Sequence, residues 1–558
     1  MRCLPALFRP RVWLLLCCLL WFLQHPALVM AAGDPPAAKR SILKEIRLQR
    51  ENVFQAEPGE SLPWVYQLAN RFHGRTRPYV IRNEILLKEG EPVDSLIFAE
   101  SIRLLRERSL FQVVEGHLES ADSGMVAHIH TQDYWSLALQ AGYSQEGGLR
   151  SVLLGVFDSN FAGTGNTLSA GQRWSTDQDQ TRLALWAPRF FGRRENMAVE
   201  FRETSDGQVW GGYFGHTYDN FLEPWSYGLS GFRFKGRYRL YEDDREVLRF
   251  SMREKMGQVH VENYTGRNVQ IGGGAGFLYY DFEPDTLITL RMTDRMIDDP
   301  VGEKYRMIFL TAGLQKRRFI QTRNLNRYGV IEDVPLGFST RAILGRNLHP
   351  FGADDRRRHA ELQFAGAVHP LMRWWAHIFV WSSLEWGGDL PNRRRMNVQS
   401  LLMRRHATQS LTALQVRVRW GKHLPSEERV YRGGGNGLRG YPSRALAGTG
   451  YLVLNLEHRY WTAMHLQFFH LGFSVFADAA WVGDDLDGLR DAEWKPAAGL
   501  GLMIGNPKSA SGVLRVEFAA RLDDSRAWDL GISSSRLLYL VPVLDLAQPV
   551  LDIFDHRP

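Results

Sequence analysis

From Trp135 onward the chain alternates with a period of two. In WSLALQAGYS, Trp135, Leu137, Leu139, Ala141 and Tyr143 share one face, and Ser136, Ala138, Gln140 and Gly142 share the other. In FRFKGRYRL, Phe232, Phe234, Tyr238 and Leu240 oppose Arg233, Lys235, Arg237 and Arg239. In LTALQVRVRW, Leu414, Val416, Val418 and Trp420 oppose Gln415, Arg417 and Arg419. Such alternation predicts half-buried strands, and about twenty such runs are readable. It fits a soluble β-structure that exposes its charged face, or a membrane barrel that exposes its apolar face. The barrel is favoured on three grounds. Residues 135–541 are too many for one sandwich core. The runs approach the roughly 9–11 residues of a tilted spanning strand. Aromatic residues such as Trp135, Tyr143, Trp420, Trp461 and Trp481 fall near strand ends, where interfacial girdles lie.

Residues 33–134 read differently. ILKEIRLQRENVF predicts a strand. In YVIRNEILLKEGEPV, Ile81 and Ile85 share a helical face, and in SLIFAESIRLLRER so do Phe98, Ile102 and Leu105. QVVEGHLE, with Val114, Gly116 and Leu118 alternating, and MVAHIHTQD, with Met125, Ala127 and Ile129 alternating, flank the turn signal Asp122-Ser123-Gly124 and predict a hairpin. The order is strand, helix, helix, strand, strand.

The N-terminus adds a compartment. Arg2, Arg9 and Arg11, then VWLLLCCLLWFL, then the small residues of ALVMAAG read as a secretory signal over residues 1–32. Cys3, Cys17 and Cys18 all lie within it, so disulfides and Cys-ligated metals are excluded from the mature chain. Leu16 before Cys17 disfavours lipidation. The formal charge is +7, and losing three arginines leaves a balance too mild to imply nucleic acid. No later run of 18 apolar residues occurs, so any membrane residence uses strands. Neither G-x-S-x-G nor H-E-x-x-H occurs. His128 and His130 share a strand face without a third ligand in the pattern, and read as surface residues.

The stretch GGGNGLRGYPSR, Gly433 to Arg444, contains G-x-G-x-x-G. A dinucleotide site needs a helix next. Here Pro442 follows, and then the strand YLVLNLEHRYW, so the nucleotide reading fails. Strand parity turns Tyr451, Asn455, Glu457 and Arg459 inward. It does the same for Gly472, Ser474, Phe476 and Asp478 in the next run. Inward carboxylates need a cation. Arg439 is a candidate, docking on Asp478 with Glu457 nearby; a solvated outer loop is the open alternative.

At these residues the chain resembles the outer-membrane assembly and secretion barrels with POTRA domains, the superfamily of BamA, TamA and the two-partner secretion transporters. Leu438, Arg439, Gly440 and Tyr441 match its (V/L)RG(F/Y) loop, Glu457 and Arg459 its E-x-R strand, and Phe476 and Asp478 its F-x-D-x-G strand, with Ala480 in place of the last Gly. The resemblance implies a mainly β fold: a transmembrane antiparallel barrel of about 16 strands behind one small α+β POTRA domain. It implies that Arg439 pairs with Asp478 inside the barrel. The expected organisation is a signal (1–32), a periplasmic POTRA-like domain (33–134), an outer-membrane barrel (135–541) closed by AWDLGISSSRLLYL, and a tail (542–558). The implied work is inserting or translocating unfolded β-rich clients, without enzymatic chemistry or cofactor, in the outer membrane of a Gram-negative bacterium. Implied partners are outer-membrane lipid, clients, and periplasmic chaperones or a dedicated secreted protein. Gly142 in the first strand and Gly531 in the last suggest a weak lateral seam. One POTRA where relatives carry two or more makes a general assembly role doubtful, and a passive channel or surface anchor is the alternative.

Overall fold

The computed structural model describes residues 41–533, apart from 55–69, 72, 123, 219, 221, 267, 290–299, 326–327, 330, 372, 389–390, 467–468, 485–492, 506–512 and 525–527. The signal, the tail and the closing run beyond Ser533 lie outside the described residues.

The N-terminal unit follows the expected order: β1 (Leu43–Glu51), α1 (Pro78–Arg82), α2 (Ser95–Glu107), β2 (Phe111–Ala121) and β3 (Gly124–Asp133). The sheet order is β1-β3-β2, with β1 parallel to β3 and β2 antiparallel to it. Asp94 caps α2 by accepting from the Leu96 N–H at 2.8 Å. Phe98, Ile102 and Leu105 of α2 face the sheet and are buried with Ile81, Ala127 and Ile129. Gly116 lets α2 pack close there: a Cβ would lie 2.5 Å from Ile102 Cδ1 and would make the Ile102 and Phe98 side chains shift. The first helix is shorter than its periodicity suggests. It ends at Arg82, and Glu84 then turns out of the helical path to sit fully buried between Arg189 (2.7 Å) and Arg108 (3.3 Å). That tertiary pull leaves no periodic trace, yet Ile81 and Ile85 both reach the core.

The barrel begins with six short strands: β4 (Leu137–Glu146), β5 (Leu149–Asp158), β6 (Thr167–Ser175), β7 (Gln180–Ala187), β8 (Asn196–Thr204) and β9 (Gly207–His216). Longer strands follow: β10 (Trp225–Glu242), β11 (Arg245–Thr265), β12 (Gln270–Thr289), β13 (Glu303–Arg323), β14 (Ile331–Asn347), β15 (Arg358–Leu371), β16 (Trp374–Trp386), β17 (Arg393–Ala407) and β18 (Ser410–Lys422). Then come a short pair, β19 (Val430–Arg432) with β20 (Leu446–Gly448), and the final strands β21 (Gly450–Leu466), β22 (Phe469–Gly483), β23 (Lys495–Gly505), β24 (Leu514–Arg521) and β25 (Trp528–Ser533).

Among the described residues, 20 strands close into an antiparallel barrel, all of them except β1–β3 and the β19–β20 pair. The barrel architecture stands; the expected count of about 16 does not. That count treats some runs as extensions of long hairpins. The short strands instead take their own places in the wall: β5–β9 are each paired with both chain neighbours along most of their length, and β4 pairs with β5 and meets β25. A wall this wide leaves a lumen that side chains alone cannot fill.

The outward face carries an apolar band that includes Leu154, Val199, Leu229, Leu310, Leu344 and Leu500, all exposed. In water such a continuous surface would be costly, whereas in lipid it is the ordinary solvent-facing side. Parity reverses at the far half of the β10–β11 hairpin. Trp225 and Leu229 face outward, and the same face continues as Arg233, Lys235 and Arg237, all exposed. The apolar side of FRFKGRYRL therefore turns inward, where Tyr238 and Leu240 cluster with Phe250, Met252 and Phe282. The cause is length: strands of 18 and 21 residues outrun the roughly 9–11 that span lipid, so this half projects beyond the apolar band and turns its charged side to water. Two expected girdle aromatics also differ. Trp461 is buried on the lumen side against Met503 and Val513, and Trp135 sits at the domain junction, its ring 6.2 Å from those of Phe54 and His73.

The small domain closes one end of the barrel. Arg77 N–H donates to Gly163 O (2.9 Å) beyond β5, Glu84 receives Arg189 from the turn after β7, and Arg106 of α2 forks onto Asp333 of β14 at 2.7 and 3.1 Å.

If the outward band meets lipid, Leu310→Arg, on β13 beside the exposed Leu344, should cost about 2–4 kcal/mol of stability in a bilayer. Urea titration of protein folded into vesicles reads this. A cost within 0.5 kcal/mol, about that of an ordinary surface substitution, would mean the band faces water.

Candidate functional site: the lumen loop and its wall

Starting beside the small domain, strands alternate up and down, so β18 ends at the remote mouth and the segment 423–449 enters the lumen from there. Three glycines let it fold into confined space. Gly437 and Gly440 have φ of +109° and +87°, left-handed values that favour glycine. A Cβ on Gly433 would sit 1.6 Å from Pro442 O.

The fold delivers Arg439 to a wall made by β21, β22 and β24. Its Nε donates to Asp478 Oδ2 at 2.8 Å and its Nη2 to Asp478 Oδ1 at 2.9 Å, a bidentate fork. Its Nη1 donates to Glu457 Oε2 (3.1 Å) and Glu517 Oε1 (3.0 Å). Its own backbone N–H reaches Asp478 Oδ2 at 3.2 Å. The guanidinium carbon stands 3.4 Å from the centre of the Phe476 ring, which adds cation–π attraction in a site shielded from water. Arg439, Phe476, Glu457 and Asp478 are all buried.

The wall balances the charges. Arg459 Nε donates to Glu457 Oε1 at 2.5 Å and Arg515 Nη1 to the same oxygen at 3.1 Å. Three carboxylates (Asp478, Glu457, Glu517) thus meet three guanidinium groups (Arg439, Arg459, Arg515). Asn455 completes the cradle by donating to Asp478 Oδ1 (2.7 Å) and to Gly437 O (2.9 Å).

The flanking motif residues also dock. Leu438 is fully buried with Val453 and Ala480. Ala480 itself is 0% exposed, so alanine is accommodated where the motif has glycine. Gly440 O accepts from Arg521 Nε at 2.8 Å, and Tyr441 OH donates to Asp523 Oδ1 (2.7 Å).

The segment reaches the opposite wall as well. Arg444 pairs with Asp177 beyond β6 at 2.5 Å and lies over the Tyr241 ring. Tyr241 N–H donates to Tyr431 OH at 3.0 Å, and Glu428 receives Arg395 of β17. At the entry, burial pushes the Glu427 carboxyl up to about 7, with repulsion from Glu303 and Glu428 adding to it.

The loop also meets the barrel's closure. Gly147, in the turn between β4 and β5, accepts from Ser443 N–H (2.9 Å) through its carbonyl and donates its own N–H to Asp529 of β25 (2.8 Å). Below that turn, Ile532 opposite Gln145 is the one register pair joining β25 to β4 among the described residues. Gly142 pairs with Leu153 of β5, and Gly531 with Glu517 of β24, so each lies on a strand bordering the closure.

No family model matches the chain, and no curated protein is matched by it. Among solved structures, BamA from Haemophilus ducreyi lacking POTRA domains 1–3 is similar at 13% identity and a TM-score of 0.39, over 88% of this chain and 83% of that one. CdiB from Acinetobacter baumannii gives 11% and 0.43 over 88% and 73%. CdiB from Escherichia coli gives 11% and 0.44 over 88% and 76%. At this level of superposition the functional case rests on the side chains themselves.

Several residues of the cluster around Arg439 are legible in the sequence though unassigned there. LRVEFAAR alternates, with Arg515 and Glu517 inward against Leu514, Val516 and Phe518, and parity had already turned Asn455 inward. Asp177 and Gly147, which meet the loop, and Asp529, which Gly147 holds, have no such signal, since barrel closure alone brings them together.

Arg439→Ala leaves the buried Asp478 without its cation, and Asp478→Ala strips Arg439 of its bidentate fork, leaving Glu457 and Glu517 on one nitrogen; each variant should lose about 3–5 kcal/mol. The double variant should fall well short of the sum, read by urea unfolding of the folded barrel. Additive losses would mean the two residues act independently.

Proposed function

We propose that this chain is an outer-membrane barrel of a Gram-negative bacterium that inserts or translocates unfolded β-rich protein clients. The observation that carries the reading is the lumen segment: one buried guanidinium anchors it to three wall strands, and its far side touches the turn at the barrel closure. A passive channel can also fold a loop inward to narrow its lumen; what favours a transporter here is that this loop reaches the turn at the barrel closure. A transporter whose wall must open and re-close needs an internal brace that keeps register while the seam moves.

The small domain, a POTRA-like unit on the periplasmic side, captures the client. Its β1 and β2 are sheet edges to which an extended chain can add as a strand. Periplasmic chaperones or a dedicated secreted protein supply that client, and lipid bounds the wall. The work is binding and guidance, with no catalytic residue and no cofactor in the reading.

A cysteine pair at Gln145 and Ile532 tests the seam directly. These positions oppose each other, within reach of a disulfide. Locking them should lower client export or insertion at least about tenfold, with recovery on reduction. Full activity in the locked state would remove seam opening from the mechanism. Proteomics of outer-membrane and secreted fractions after depletion separates the roles. One missing exported protein indicates a dedicated transporter, a broad fall in barrels indicates assembly, and no change indicates a passive channel or anchor.

A further inference from the structure

The small domain has a second face, turned away from α2, that neither the barrel nor the lumen segment uses. His117 on β2 and His128 on β3 are register partners across the antiparallel pair. Their rings stack with centroids 4.8 Å apart and planes 4° from parallel. Glu119, two residues along β2, brings Oε2 to 2.8 Å from His128 Nε2. One ligand atom from each of His117, Glu119 and His128 lies within 4.8 Å of the other two.

The surroundings favour a cation. His130 follows on the same face, 3.1 Å from Glu51 and 4.0 Å from Glu115. Arg47 of β1, opposite His128 in register, is the opposing charge, and Glu45 holds it at 3.0 Å. The histidine pair 128 and 130 offers no third ligand along its own strand. The two further ligands for His128 come from the neighbouring strand, which only the β2–β3 register reveals.

Two imidazoles and a carboxylate form a nitrogen and oxygen donor set of the kind that borderline divalent metals take. These side chains are exposed or half-buried, so small rotations can close them around an ion while the paired strands hold the backbone. We propose that His117, Glu119 and His128 bind a divalent transition metal of the Zn²⁺ class on the exposed sheet face of the small domain. Because β2 is an edge strand of the β1-β3-β2 sheet, the bound ion clamps that edge to β3. The site would stabilise the folded hairpin by mass action.

The test is calorimetric titration of ZnCl₂ into the purified full chain, stripped of metal with a chelator and free of an affinity tag. One saturable equivalent is expected, weakened at least about tenfold by His117→Ala and by His128→Ala. Glu119→Gln, which keeps shape and removes the charge, should weaken it too and guards against unfolding as the cause. His406→Ala alters a separate histidine pair, whose ring lies 5.6 Å from that of His458, and should change nothing. An absent saturable equivalent in the native chain, native affinity retained in His117→Ala or His128→Ala, or loss in His406→Ala would each overturn the proposal.

Discussion

A guanidinium inside a barrel must be neutralised where it sits, because moving it out of water costs several kcal/mol unless charge and hydrogen bonds are supplied on the spot. Arg439 is neutralised by carboxylates from three different strands, Asp478, Glu457 and Glu517. The arrangement therefore depends on strand register. A slip of one residue in β22 would turn Asp478 to lipid and bring Ala477 or Ala479 inward, leaving the guanidinium without its fork. The loop and the wall specify each other.

That mutual dependence extends across the lumen. The same segment that Arg439 anchors also places Arg444 against Asp177 and Ser443 against Gly147. Gly147 in turn holds Asp529 of the last strand. The docked loop thus touches the turn on one side of the closure, and that turn holds the strand on the other side, where the strands themselves share a single register pair among the described residues. At the other mouth, ion pairs from α2 (Arg106) and from the connection before it (Glu84) tie the small domain to β14 and to the turn after β7.

Much of this was legible because a barrel writes its faces into alternate residues. Parity alone turns Asn455, Glu457, Phe476 and Asp478 inward, and the glycines around Arg439 mark a chain that must bend into a tight space. Where parity misled, the cause was a change of solvent along one strand: Arg233 and Leu229 share a face, but one lies beyond the apolar band and the other within it. Strand number was harder. A short strand such as β7, eight residues long, looks the same whether it extends a hairpin or holds its own place in the wall, and only pairing with both neighbours decides. The halting of α1 at Arg82 and the contacts of Gly147 arise from distant parts of the chain meeting, and no local pattern encodes them.

The central claim is that the loop is held inside the barrel by Arg439. Hydrogen exchange of the amides in 433–445, measured on protein in a bilayer, addresses it most directly. Strong protection is expected in the native chain, with loss of that protection in Arg439→Ala while the amides of β21 and β22 stay protected. Exchange in the native chain as fast as in a free peptide would contradict the account.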